Sequence, residues 1–277
     1  MKNYKNYRSY GKIGHRGHTL CPIFLGGNKL EQRIKKIDGT DITYQIENIM
    51  KNYLKKVFVN LRKLHLDDLT PNPLLMRLVG TAAELNSAEA LVEYMINARL
   101  ERSTSTGFGM TIQKVATAFC ETTGVGGADI SIMKNDESGN AIRWYIQMKS
   151  GPNTVNKDIC IQISSELQSA VRRAPGSAGM LGITYGKFDR VSGITQKYLS
   201  FDFKAGRDFW EFISNDSDCY KKLWYLTNDI ADNFEDKGGL TLKELIEMKK
   251  NELTSQFIEK YGEYGEEMWN NFLDENM

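Results

Sequence analysis

Polar and apolar residues alternate at the strand period only in the middle of this chain, roughly from residue 129 to residue 203, while apolar residues at three- and four-residue steps fill both flanks. Such a chain must build one small sheet and cover it with helices. On the N-terminal side, Ile46, Ile49, Met50, Leu54, Val57, Leu61 and Leu64 predict an amphipathic helix over 42–66, which Pro71 and Pro73 stop. Asn86 or Ser87 caps a second helix, whose Leu91, Val92, Met95, Ile96 and Leu100 keep helical spacing up to Arg102. The segment 103–109 is polar and carries two glycines, so a loop is expected before a further helix that ends near Thr123. Gly124, Gly126 and Gly127 turn the chain into strands.

Two strands follow, one opening at Asp129 and one over 144–149, joined by the turn residues of 134–140. Asn153 and Thr154 offer the caps for a helix expected from about Asn156 to Arg173, although Ile159, Ile161 and Ile163 also alternate as a strand would. Residues 180–185 and 198–203 read as two more strands. Helices dominate thereafter, one holding Phe209, Trp210, Phe212 and Ile213 as core residues, then one over 223–234 and one over 240–273. The expected class is therefore α/β, a small mixed central β-sheet flanked by helices, in three parts: an arm and helix over 1–70, a core over 71–235 and a helical extension over 236–277.

The chemistry concentrates between Asp129 and Gly151. Residues two apart on a strand share a face, so Gln147 and Lys149 project together while Ile146 and Met148 face the opposite side. If the two strands pair, a carboxylate, an amide oxygen and an ammonium meet. Oxygen donors of this kind suit one Mg²⁺, which keeps several waters and takes few protein ligands. With a lysine to orient or deprotonate the attacking water, the set can hydrolyse a phosphodiester.

Net charge is +1, but it is unevenly spread: nine Lys and Arg face one acid over 1–36, and thirteen acids face five lysines over 229–277. The basic arm is interleaved with Tyr4, Tyr7 and Tyr10 and suits a phosphate backbone. No apolar run reaches eighteen residues and no apolar leader opens the chain, so no membrane association and a cytoplasmic location are expected. Four scattered cysteines without a C-x-x-C pair fit reduced thiols. His15, His18 and Cys21 lack a second pair of ligands, so no zinc site is expected there. Gly107-Phe108-Gly109 has neither a third glycine nor a preceding strand, which excludes a dinucleotide fingerprint. All three histidines precede residue 66, and no cysteine has an activating partner, which excludes a nucleophilic triad.

Several pieces occur together in order: Asn72-Pro73, the helix over 85–100, Thr106-Gly107-Phe108-Gly109, the Asp129 strand, Gln147-Met148-Lys149-Ser150-Gly151-Pro152-Asn153-Thr154, Tyr185-Gly186 and Ala205-Gly206-Arg207-Asp208-Phe209-Trp210. In these the chain resembles the type II restriction endonucleases of the PD-(D/E)XK class. More narrowly, it is similar to the subgroup that cuts GC-rich palindromes with a central degenerate position. The resemblance spans about residues 70 to 235 and implies a restriction-endonuclease-like core with helical additions at both ends. It makes Asp129 the metal-binding aspartate, Gln147 the second metal-binding position and Lys149 the catalytic lysine. Position 147 departs from the usual Glu or Asp and deprives the metal of one charge, so either weaker Mg²⁺ binding or a supplementary carboxylate is expected, Glu93 first and Glu89 second. Ala128, not proline, precedes Asp129.

The resemblance further implies double-stranded DNA as substrate, Mg²⁺ as cofactor, a homodimer for a two-fold target, and a cognate DNA methyltransferase protecting the same site. Asn153, Thr154, Asn156, Arg172, Arg173, Lys187 and Arg190 are the candidates for DNA contact, arginine being the usual partner of guanine. Two other readings use the same residues. One is a DNA-binding module whose Gln147 marks a lost metal site, and the other is a repair or junction nuclease on the same fold.

Overall fold

The computed structural model describes residues 33–277, apart from 70, 121, 124–125 and 136–137. The basic arm up to residue 32 and the His15, His18 and Cys21 trio lie outside the described residues. Five strands form one sheet in the order β1-β2-β3-β4-β5: β1 (Thr122–Thr123), β2 (Ile130–Asn135), β3 (Ala141–Lys149), β4 (Ala178–Ile183) and β5 (Asp202–Ala205). The first three strands pair antiparallel and the last three pair parallel, so the sheet is mixed, as expected. Parallel pairing requires crossovers, which α4 (Lys157–Arg173) and α5 (Gly193–Tyr198) supply.

Each sheet face has its own cover. Ile130, Ile132, Ile146, Met148 and Met180 pack against α1 (Thr43–Arg62), α6 (Arg207–Ser214), α7 (Cys219–Asp232) and the C-terminal part of α3 (Ala88–Ala118). Tyr145, Leu181 and Ile183 pack against Cys160, Ile163 and Leu167 of α4 on the opposite face. A second core is purely helical. There Phe58 and Leu61 of α1 and Leu91, Val92, Met95 and Ile96 of α3 meet α2 (Pro73–Ala82), α8 (Leu242–Tyr261) and α9 (Glu266–Asn276). A bond between Arg62 and Asp236 ties α1 to the segment before α8, and the guanidinium holds that carboxyl down to about 2.

Three expectations need correction. Residues 103–109 are helical, so α3 runs unbroken for 31 residues, about 46 Å, long enough to take part in both cores. Within the expected loop the Thr104 hydroxyl bonds back into the helix, to the Leu100 carbonyl at 2.6 Å, and just past it Thr111 does the same to that of Gly107 at 2.8 Å. The missing side chain of Gly107 gives α1 room, since a Cβ there would sit 3.4 Å from the Tyr53 ring. The strand expected over 198–203 is mostly something else: Tyr198 ends α5, capped by Ser192, and pairing begins only at Asp202. The helix expected over 240–273 is two helices, because Gly262 takes φ +97° at the end of α8 and Gly265 precedes α9.

Ser87 acts as read, its Oγ accepting the Ala90 N–H at 3.1 Å to start α3. The cap of α4 is Asn156 and not Asn153 or Thr154: Asn156 Oδ1 accepts the Ile159 N–H at 2.9 Å, while Thr154 turns back to the Gly151 carbonyl, and the segment is helix. Cys120, Cys160 and Cys219 are buried, and burial pushes the Cys219 thiol up to about 11. No helix among the described residues is long and apolar enough to cross a membrane.

Candidate active site

Antiparallel pairing of β2 with β3 sets Ile130 against Ile146, so one further step of the register sets Asp129 against Gln147. Asp129 lies just before β2, where its N–H bonds the Ile146 carbonyl at 3.0 Å. Its carboxylate accepts the Met148 N–H at Oδ2, 2.7 Å away, so the side chain continues the ladder where β2 ends. Asp129 is exposed, and among the described residues no hydrogen bond reaches its Oδ1. Lys149 closes β3 on the face of Gln147, half-buried, with its carbonyl accepting the Thr184 N–H at 3.0 Å. Two charged groups and one amide thus share a strand edge.

That edge is built from the glycine and tryptophan positions that the sequence set in order. Gly206 takes φ +53°, and a Cβ there would fall 2.2 Å from the Gly186 carbonyl oxygen, so two backbones touch at the C-terminal ends of β4 and β5. Trp210 Nε1 donates to the Thr184 carbonyl at 2.8 Å, and Thr184 Oγ1 donates to the Ser150 carbonyl at 2.8 Å. The Tyr185 ring lies against Gly151. On the other side α3 passes Ser150, with a Cβ on Gly109 only 3.7 Å from that side chain. Lys149 is therefore held at a fixed edge by β4, β5 and α3.

Gln147 is 9% exposed and turns toward α4. Its amide donates to Glu166 Oε2 at 2.8 Å and to the Gly127 carbonyl at 3.3 Å. Glu166 escaped the sequence reading. Its only advance signal was that a buried amide at position 147 would need a partner on the helix covering that face.

Glu93, expected as the supplementary carboxylate, is engaged in the helical core instead. Lys250 of α8 lies 3.7 Å from Glu93, 3.2 Å from Glu89 and 2.9 Å from Glu247, and the carboxylates together raise the lysine above its ordinary value. Both acids on α3 thus share Lys250 of α8 with Glu247 and are not brought to Asp129.

The candidates for DNA contact divide into two groups. Asn153, Thr154, Asn156, Lys187 and Arg190 are exposed around the end of the sheet that carries Lys149. Thr154 and Asn156 also have local duties, the first bonding the Gly151 carbonyl at 2.7 Å and the second capping α4. Arg172 and Arg173 lie at the far end of α4, which leads back to the start of β4, five register steps or roughly 16 Å from Lys149. Arg172 is exposed, whereas Arg173 bonds the carbonyls of Ser169 and Gly126.

A carboxylate, an amide and a lysine thus stand together at the C-terminal end of β3, the central strand of a mixed sheet with a restriction-endonuclease-like fold. The family model described as Type II restriction endonuclease EcoO109I matches residues 40–235, the span that holds the whole sheet, α1 to α7 and each of these residues. Among curated proteins none matches the chain. The match extends over most of the sequence, and the chain belongs to the type II restriction endonuclease EcoO109I family, whose members are site-specific deoxyribonucleases.

Proposed function

We propose that the chain is a homodimeric, Mg²⁺-dependent endonuclease of the PD-(D/E)XK class that cuts both strands of a short, GC-rich palindrome. Type II restriction endonucleases generally use divalent metal ions and act on DNA. The donors here fit such an ion, since the exposed Asp129 carboxylate and the Gln147 amide are hard oxygen ligands on one face. Asp129 and Gln147 would hold the metal, which when bound supplies a Lewis acid for the scissile phosphate and a more acidic water. Lys149, fixed by the Thr184 bond to its backbone, orients or deprotonates that water and places a cation beside the charge that develops.

The observation that carries this reading is the register that sets Asp129 opposite Gln147 with Lys149 two residues further on the same face. Asn153, Thr154, Asn156, Lys187 and Arg190 surround that edge and are placed for DNA contact, while Arg172 and Arg173 would reach DNA beyond the cleavage point. One strand per subunit follows from a two-fold target. A methyltransferase of the same specificity would protect the host's copies, in the cytoplasm.

Sequencing the ends of fragments cut from phage DNA in Mg²⁺ tests the proposal. Ends that fall at symmetric positions in one GC-rich palindrome are expected. Ends scattered without sequence preference, or confined to branched substrates, would contradict it.

A further inference from the structure

We propose that Glu166 is the second carboxylate of the metal site, supplying from α4 the charge that Gln147 does not supply from β3. The proposal rests on reading Asp129, Gln147 and Lys149 as the hydrolytic centre. Glu166 is held on both oxygens by neutral amides, Oε2 by Gln147 Nε2 at 2.8 Å and Oε1 by Gln162 Nε2 at 2.8 Å. No lysine, arginine or histidine among the described residues lies within salt-bridge distance of it. Glu93 and Glu89 differ in this respect, since both lie within salt-bridge distance of Lys250. This half-buried carboxylate has only neutral donors around it, and a cation placed beside it would gain Coulomb energy.

The backbone brings this charge to the site. Gly127, two residues before Asp129, has φ +93°, and a Cβ there would come within 2.4 Å of the Glu166 carbonyl oxygen. The approach to β2 is thus pressed onto α4 at Glu166 itself, and the Gln147 amide spans the gap by donating to both the Gly127 carbonyl and the Glu166 side chain. Two carboxylates and an amide match the few-ligand, water-rich coordination that Mg²⁺ prefers. Among the described residues no three His, Cys, Asp or Glu side chains form a ready-made cage, so a two-carboxylate site is the fullest this sheet edge offers.

The opposing possibility is that Glu166 only orients Gln147, and Glu166→Gln separates the two. The new amide oxygen can still accept from Gln147 but carries no charge. Mn²⁺ binding to the full chain, followed by the paramagnetic resonance of free ion, should weaken roughly 10–100-fold in Glu166→Gln, with cleavage of phage DNA lost in parallel and the thermal melt unchanged. Adding Gln147→Glu to Glu166→Gln moves the charge to the strand and should restore both. Unchanged Mn²⁺ affinity in Glu166→Gln overturns the proposal whether or not cleavage falls, since a fall alone would mean positioning. Failure of the double variant to recover Mn²⁺ affinity likewise counts against it. Asp129→Ala serves as the separate control. If that variant alone loses metal and cleavage, Glu166 has no part in the metal site but the Asp129 centre survives, whereas wild-type behaviour in Asp129→Ala removes both.

Discussion

Lys149→Ala should slow DNA cleavage about 10²–10³-fold while leaving DNA affinity nearly unchanged. The side chain lies at the end of β3 beside the Asp129–Gln147 pair, and the sheet uses the backbone of Lys149, which pairs with Ile183 and whose carbonyl accepts the Thr184 N–H. Removing the ammonium therefore deletes a charge near the reacting phosphate without opening the ladder. Binding comes from many phosphate contacts, so the loss of one cation changes it little at moderate salt. Lys149→Arg should not restore the rate, because a planar guanidinium that stays protonated cannot deprotonate water. Single-turnover cleavage in Mg²⁺, paired with filter binding in Ca²⁺, separates the two effects. Cleavage at the wild-type rate would remove the lysine from the mechanism.

Gly206→Ala should be the most damaging conservative change in the sheet, destabilising the fold by about 3 kcal/mol or more. Its φ of +53° strains any side chain, and its Cβ would meet the Gly186 carbonyl oxygen at 2.2 Å, a backbone atom that cannot swing aside. Gly186 is itself at φ +103° and lies against Pro152, so a shift there passes into the loop behind Lys149. A melting temperature lower by roughly 6–12 °C is expected, with cleavage falling further than the melt alone would suggest. Gly193→Ala is the control, because nothing lies within 4 Å of its Cβ and no positive φ is involved. Equal melts for the two variants would contradict the account of this edge.

The sheet and the Asp129–Gln147–Lys149 edge were legible because both depend on local periodicity. Two residues per face, a good turn over 134–140 and a shared register are enough to bring them together. The start of α3 was legible because a single residue, Ser87, decides it, whereas at α4 the helix was legible but its cap is Asn156 and not the earlier Asn153 or Thr154. Misreadings came where a partner distant in sequence decides. The polar run of 103–109 looks like a loop until Thr104 bonds back along α3, and Gly107 looks like a breaker until Tyr53 of α1 packs on it. Glu93 fitted a metal role until Lys250, more than 150 residues later, took its charge. Glu166 was hidden for the same reason: its significance lies in a bond to Gln147 that only the folding of α4 onto β3 creates.

The most direct test of the hydrolytic centre is a digest of phage DNA by the purified protein in Mg²⁺, beside an EDTA control and Asp129→Ala. Discrete fragments that vanish both with EDTA and in the variant are the expected result. Intact DNA in every lane, or fragments that Asp129→Ala still produces, would contradict the placement of the metal at Asp129, the first outcome favouring a DNA-binding module on this fold.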